Sequence, residues 1–176
     1  MKLTIKHVTE SSPLLSKIEA LYKSAFPANE RRPLMPLLRD RTGHGETVAF
    51  FDGDLFCGFA CLLTDKDISH IIYFAVEDTL RGKGYGSAAL STMAQWKKDK
   101  RIIVDIEMED AGKENNIQRR RRKQFYINNG FSETEISYTW RNETYEILSA
   151  GGNVSNNEFE RFWEQICYDD SSLEIY

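Results

Sequence analysis

The stretch TLRGKGYGSAAL, Thr79 to Leu90, constrains this chain more than any other: Gly82, Gly84 and Gly86 alternate with Lys83 and Tyr85 behind Arg81, and helix-forming residues follow at once. Glycine costs about 0.5–1 kcal/mol relative to alanine inside a helix or strand, so a loop that needs bare backbone is predicted here. A helix opening directly behind such a loop presents uncommitted amide N–H groups and the positive end of its dipole to an anion. The preceding run SHIIYFAV (Ser69 to Val76) is almost continuously apolar, as in a strand buried on both faces. Strand, glycine loop and helix together predict a phosphate site.

The neighbouring periodicities extend that unit. Ala89, Leu90 and Met93 recur at helical spacing within Gly86 to Lys98, and RIIVDIEM (Arg101 to Met108) is again strand-like, giving a parallel βαβ unit with a right-handed crossover. Upstream, LTIKHV (Leu3 to Val8) reads as a strand. A helix starting at Ser12-Pro13 runs through Ile18, Leu21 and Tyr22 and ends before Phe26-Pro27. PANERRPLMPLLRD is a loop with one helical turn near Leu34 to Arg39. TVAFF, Asp52-Gly53-Asp54 and LFCGFACLL form a hairpin. Downstream, a helix over Asn116 to Asn129 stops at Gly130, and the strands FSETEISYTW and ETYEILS precede a last helix in NNEFERFWEQI. The fold class is α/β on a mixed sheet.

At 176 residues the chain suits a single domain, 1–176. No stretch reaches the roughly 18 apolar residues of a membrane span, and MKLTIKHVTE lacks an apolar h-region, so a cytoplasmic protein without membrane contact is expected. Cys57 and Cys61 would lie about 13 Å apart along one strand, too far for a disulfide, and the three histidines show no metal-ligand spacing. A net charge of -4 argues against nucleic acid as partner despite the basic run Arg119 to Lys123.

Which phosphate the loop holds is narrowed by spacing. A P-loop would end in Gly-Lys-Ser/Thr, which is absent, and a dinucleotide fingerprint needs glycine where this chain has Ser87. AVEDTLRGKGYGSAAL instead resembles the acetyl-CoA pyrophosphate loop of GNAT-type N-acetyltransferases, with Arg81-Gly82-Lys83-Gly84-Tyr85-Gly86 in the place of that family's Arg/Gln-x-x-Gly-x-Gly/Ala. FYINNGF (Phe125 to Phe131) is similar to the family's aromatic-Tyr helix end followed by Gly-Phe and a strand. Asp78 stands where many members carry proline.

The resemblance implies a GNAT-like fold: a twisted, mostly antiparallel sheet with one splayed parallel pair, flanked by helices. It implies acetyl-CoA as co-substrate, no metal, and transfer of acetyl to a primary amine of a small molecule or peptide by direct attack in a ternary complex. Backbone groups of Phe74, Ala75 and Val76 would pair with pantetheine, and Arg81, Gly82, Lys83, Gly84, Tyr85, Gly86 and Ser87 would hold the pyrophosphate. Tyr126 would be the general acid and Glu107 the base. At about 100° per residue Arg119, Arg122 and Tyr126 share one helix face, which turns both arginines toward the cofactor. Glu30, in the loop expected to wall the acceptor site, and His70 are candidate substrate contacts. Glu133, Glu135 and Glu143 hint at a cationic acceptor.

A non-catalytic acyl-CoA-binding module is the alternative, and release of free thiol in the presence of amines separates the two. The sequence is compatible with a monomer or a homodimer.

Overall fold

The computed structural model describes residues 1–39 and 42–169. Seven strands, β1 (Thr4–Val8), β2 (Gly45–Asp52), β3 (Leu55–Asp65), β4 (Ile68–Val76), β5 (Arg101–Glu107), β6 (Ser132–Trp140) and β7 (Glu143–Ala150), follow one another in the hydrogen-bonded order β1-β2-β3-β4-β5-β7-β6. Among the described residues β4 and β5 are the one parallel pair in a mostly antiparallel sheet. The helices are α1 (Leu15–Ala25), α2 (Met35–Arg39), α3 (Tyr85–Trp96), α4 (Asn116–Asn128) and α5 (Asn156–Asp169). The mixed α/β class and the element order expected from sequence are therefore observed. Element ends moved by a few residues: α1 begins at Leu15, because the Leu15 amide bonds to the Ser12 carbonyl and only then continues as helix. The loop reading of Asp40 lies outside the described residues.

The chain divides into two compact units, Met1–Thr64 with Ile71–Trp96, and Asp65–His70 with Lys97–Tyr176. In the first, Ile18 and Leu21 of α1 join Val48, Phe50 and Phe59 in a buried core. The Asp-Gly turn forms as expected, with Gly53 at φ 59°. At Gly58 the β2–β3 register shifts beside Phe50, and φ is 158°. A Cβ there would overlap the carbonyl oxygen of Ala75, so glycine is what lets β3 lie so close to the end of β4.

In the second unit β7 pairs antiparallel with both β5 and β6. The β6–β7 turn places Arg141 and Asn142 at φ 49° and 64°, the two positive values a tight two-residue hairpin turn requires. A capping box opens α5: the Glu158 amide donates to Ser155 Oγ while Glu158 Oε2 accepts from the Ser155 amide at 2.9 Å. The three cysteines are free, and Cys57 and Cys61 are buried.

Candidate functional site

In the first unit β4 ends at Val76, and the Glu77 amide donates to the Cys57 carbonyl at 2.9 Å, anchoring the strand end on β3. A single 3-10 turn, Asp78–Leu80, then leads into the glycine loop. Gly82 and Gly84 adopt φ of 72° and 87°, and the space where a Cβ would stand is open at both. The first helical bond of α3 runs from the Ala88 amide to the Gly84 carbonyl, so the amides of Tyr85, Gly86 and Ser87 have no acceptor within the helix. Exposed backbone, free amides and absent side chains fit a diphosphate. The loop has the positive-φ glycines and the helix behind it that were read from its spacing.

The loop side chains hold the loop to its strand. Arg81 Nε donates to the Val76 carbonyl at 3.3 Å, and its Nη2 pairs with Asp78 at 2.8 Å. The Tyr85 hydroxyl donates to Asp52 Oδ2 at 3.2 Å, while Lys83 and Ser87 are exposed. Phe74 and Val76 are half-buried where Tyr73 and Ala75 are buried, the alternation of a strand with one open face.

The second unit carries the charged residues of α4. Arg119 is 3 % exposed and all five of its N–H donors are engaged: Nε with Asn115, Nη1 with the Met108 carbonyl and Glu143, Nη2 with Glu143 and Glu107. The cofactor contact expected of Arg119 would have to replace one of these bonds. Arg122 Nη1 bonds Glu107 Oε2 at 2.9 Å, and the Arg122 side chain is 45 % exposed, which leaves donors facing solvent. Glu107 is itself buried, accepting from Asn115 and Arg119 on Oε1 and from Arg122 on Oε2.

Two further members of the basic run are balanced locally, Arg120 by Glu109 and Lys123 by Glu133 and Glu146. Glu133 and Glu143, read from sequence as a hint of a cationic acceptor, are therefore partners of α4, and Glu143 also receives Lys113. Hydrogen bonding to Arg119 is the main cause that lowers Glu143 to about 2.

Tyr126 owes its placement to the end of α4. The Phe131 amide donates to the Tyr126 carbonyl and the Gly130 amide to the Ile127 carbonyl, both at 3.1 Å, and the Phe131 ring packs edge-on against Tyr126 at 5.2 Å. This is a Schellman motif with its apolar contact, and it is what FYINNGF encodes. Tyr126 is 6 % exposed. Burial raises its phenol above the ordinary value, with nearby Arg122 opposing and Asp105 adding to the shift, so the proton is retained at neutral pH.

His70 is enclosed by its own unit. It is 1 % exposed, its Nε2 lies 2.8 Å from Asp105 Oδ1, and its ring is enclosed by Phe159, Phe162 and Trp163 of α5. Asp105 Oδ2 in turn accepts from the Tyr138 hydroxyl at 3.0 Å. Glu30 sits in a segment of the first unit that two tyrosines hold by its backbone. Sequence reasoning missed both arrangements, since nothing in local periodicity points from His70 to Asp105 or from Tyr73 to Arg32. No group of three or more His, Cys, Asp or Glu suited to a metal occurs among the described residues. No helix among them is long and apolar enough to cross a membrane.

The sequence model of the acetyltransferase (GNAT) family matches residues 15–120, which spans the glycine loop and both strands beside it. The chain belongs to the GNAT acetyltransferase family. Solved GNAT structures share its fold. One from Bacteroides thetaiotaomicron, assigned to the GNAT acetyltransferases, is 23 % identical, with 97 % of this chain and 99 % of that one covered at a TM-score of 0.77. A Bacillus subtilis acetyltransferase in complex with CoA is 18 % identical, covering 85 % and 98 % of the two chains at 0.56. The ribosomal-protein-S18-alanine N-acetyltransferase of Escherichia coli is 16 % identical, covering 88 % and 97 % at 0.57. No curated protein matches the chain by sequence.

Proposed function

We propose that residues 1–176 act as one N-acetyltransferase domain that moves the acetyl group of acetyl-CoA to a primary amine of a small molecule or peptide, by direct attack in a ternary complex. The observation that carries this reading is the set of amides at Tyr85, Gly86 and Ser87 without a helical acceptor, opening α3 directly behind the open positive-φ glycines Gly82 and Gly84, in a GNAT-family chain.

Each residue has a distinct task. Amides from Gly82 to Ser87 bind the diphosphate, with Lys83 adding charge from the loop. The backbone of Phe74, Ala75 and Val76 pairs with pantetheine as an added strand would, and an amide of that stretch polarises the thioester carbonyl. Arg81 acts on the loop itself through the Val76 carbonyl and Asp78. Arg122 keeps exposed donors for an anionic part of the cofactor.

Attack by the amine forms a C–N bond as the C–S bond breaks, and the departing thiolate takes the Tyr126 proton. A phenol can supply it because thiol and phenol differ by only about 1.5 pH units in their ordinary values, and the enclosure that raises the Tyr126 phenol raises the departing thiol beside it as well. The ammonium proton passes through water to Glu107, whose Oε2 keeps a lone-pair direction not taken by Arg122.

Turnover of acetyl-CoA over a panel of polyamines, aminoglycosides and peptides, followed as released thiol, tests the proposal. Thiol release that depends on an amine and falls with Tyr126→Phe supports it. Tight binding of acetyl-CoA without release for any amine would favour the non-catalytic module.

A further inference from the structure

The segment between α1 and α2 belongs to no strand or helix from Pro27 to Pro33, yet three of its backbone groups are bonded to two buried phenols. The Arg32 amide donates to Tyr73 Oη at 2.7 Å, the Tyr73 hydroxyl donates to the Glu30 carbonyl at 3.2 Å, and the Tyr22 hydroxyl donates to the Arg32 carbonyl at 2.7 Å. One oxygen, Tyr73 Oη, therefore closes a ring over residues 30 to 32.

Its own position is fixed by packing. Tyr73 is 4 % exposed, and its ring meets Tyr22 at 4.8 Å and Phe26 at 5.0 Å, both edge-on. Along β4 it is the residue immediately before Phe74, so its side chain points away from the half-buried face of Phe74 and Val76. Burial raises the Tyr73 phenol, which keeps its hydroxyl a donor across the neutral range.

We propose that Tyr73 is a positioning residue that ties the Glu30–Arg32 segment to the strand whose next three residues bind pantetheine, so that seating acetyl-CoA on β4 orders the segment carrying Glu30. The inference rests on the proposed acetyl-CoA reading for its second half, and on the hydrogen bonds alone for its first. A ligand that adds to β4 restricts the strand, and a segment bonded to the strand through one oxygen shares that restriction.

The test is amide hydrogen exchange of Arg32, read by NMR, in the wild-type chain and in Tyr73→Phe, with and without acetyl-CoA. Tyr73→Phe keeps the ring and removes the oxygen. Without ligand, Arg32 should exchange about fivefold to tenfold faster in the variant, the effect of one lost hydrogen bond. Acetyl-CoA should slow Arg32 exchange in the wild type and leave it unchanged in the variant, while calorimetry finds acetyl-CoA bound by both, more weakly in the variant by no more than the factor by which exchange slowed in the wild type. A purely structural tyrosine would not create that difference. Tyr22→Phe, which keeps Tyr73 Oη, should retain the acetyl-CoA effect, and it serves also if Tyr73→Phe fails to fold.

Equal Arg32 exchange in wild type and Tyr73→Phe would overturn the tether. Wild-type exchange indifferent to acetyl-CoA that calorimetry shows to be bound would overturn the coupling. Absence of acetyl-CoA binding would instead sink the proposed function, and the ligand-free comparison would still decide the tether.

Discussion

Arg119 grips Glu143 through two parallel hydrogen bonds of 2.9 and 3.0 Å, joining the first turn of α4 to the first residue of β7. Because the guanidinium is buried and also serves Glu107, removing it takes the buried partner from two carboxylates, leaving Glu143 with Lys113 and Glu107 with Arg122 and Asn115. Arg119→Ala should cost about 3–5 kcal/mol in urea unfolding. Arg119→Lys should recover little of it, since a single ammonium cannot reproduce the fork.

The same pair sets an acid limit. Glu143 sits at about 2 in the folded chain against an ordinary 4.5, so its stabilisation is complete above about pH 4.5 and is lost as pH falls toward 2. Glu143→Gln should flatten the decline of unfolding midpoint over that window. An unchanged acid limb in the variant would assign the limb to other carboxylates.

Tyr126→Phe should lower the rate of acetyl transfer about a hundredfold or more and leave acetyl-CoA affinity within twofold, the pattern of a lost proton donor. The raised phenol also fixes a sign at high pH. Its contribution to stability is full below the ordinary 10.0 and is lost as pH rises through the higher folded value, so alkaline unfolding should set in at higher pH for Tyr126→Phe.

Gly84→Ala separates binding from folding. At φ 87° an alanine costs about 1–2 kcal/mol of backbone strain but meets no atom within 4 Å, so the variant should fold with a modestly lower melting temperature. Its Cβ would occupy the space assigned to the diphosphate, and calorimetry should record at least a tenfold loss of acetyl-CoA affinity. Unaltered affinity would move the phosphate site elsewhere.

Gly58→Ala should behave oppositely. The added methyl collides with the Ala75 carbonyl, which belongs to backbone and cannot swing aside. A loss of about 3 kcal/mol is expected from overpacking at this strand crossing, measured by thermal and urea unfolding.

Much of this architecture can be read from local sequence, because local rules write it. Asp52-Gly53 requires a turn and Gly130-Phe131 stops α4, whereas the apolar run from Ser69 to Val76 announces a strand but not that Phe74 and Val76 face outward and are only half-buried. The charged site is less legible. Helical spacing put Arg119, Arg122 and Tyr126 on one face of α4, of which Arg119 and Tyr126 are buried and Arg122 is exposed, and spacing carries no information on what lies opposite. The partner of Arg119 stands 24 residues away, that of His70 35, and that of Tyr73 41. Such pairs depend on which strands become neighbours, and hydrophobic period alone does not select them.

The order β5-β7-β6 places the later-made strand between two earlier ones. During refolding, β6 has no edge to join until β7 exists, so the hairpin around Arg141-Asn142 has to assemble first and dock on β5 as a finished piece. Closing that long interval is a slow, entropically costly event. Stopped-flow refolding should accordingly be retarded by Asn142→Val, which disfavours the turn, far more than its unfolding is hastened.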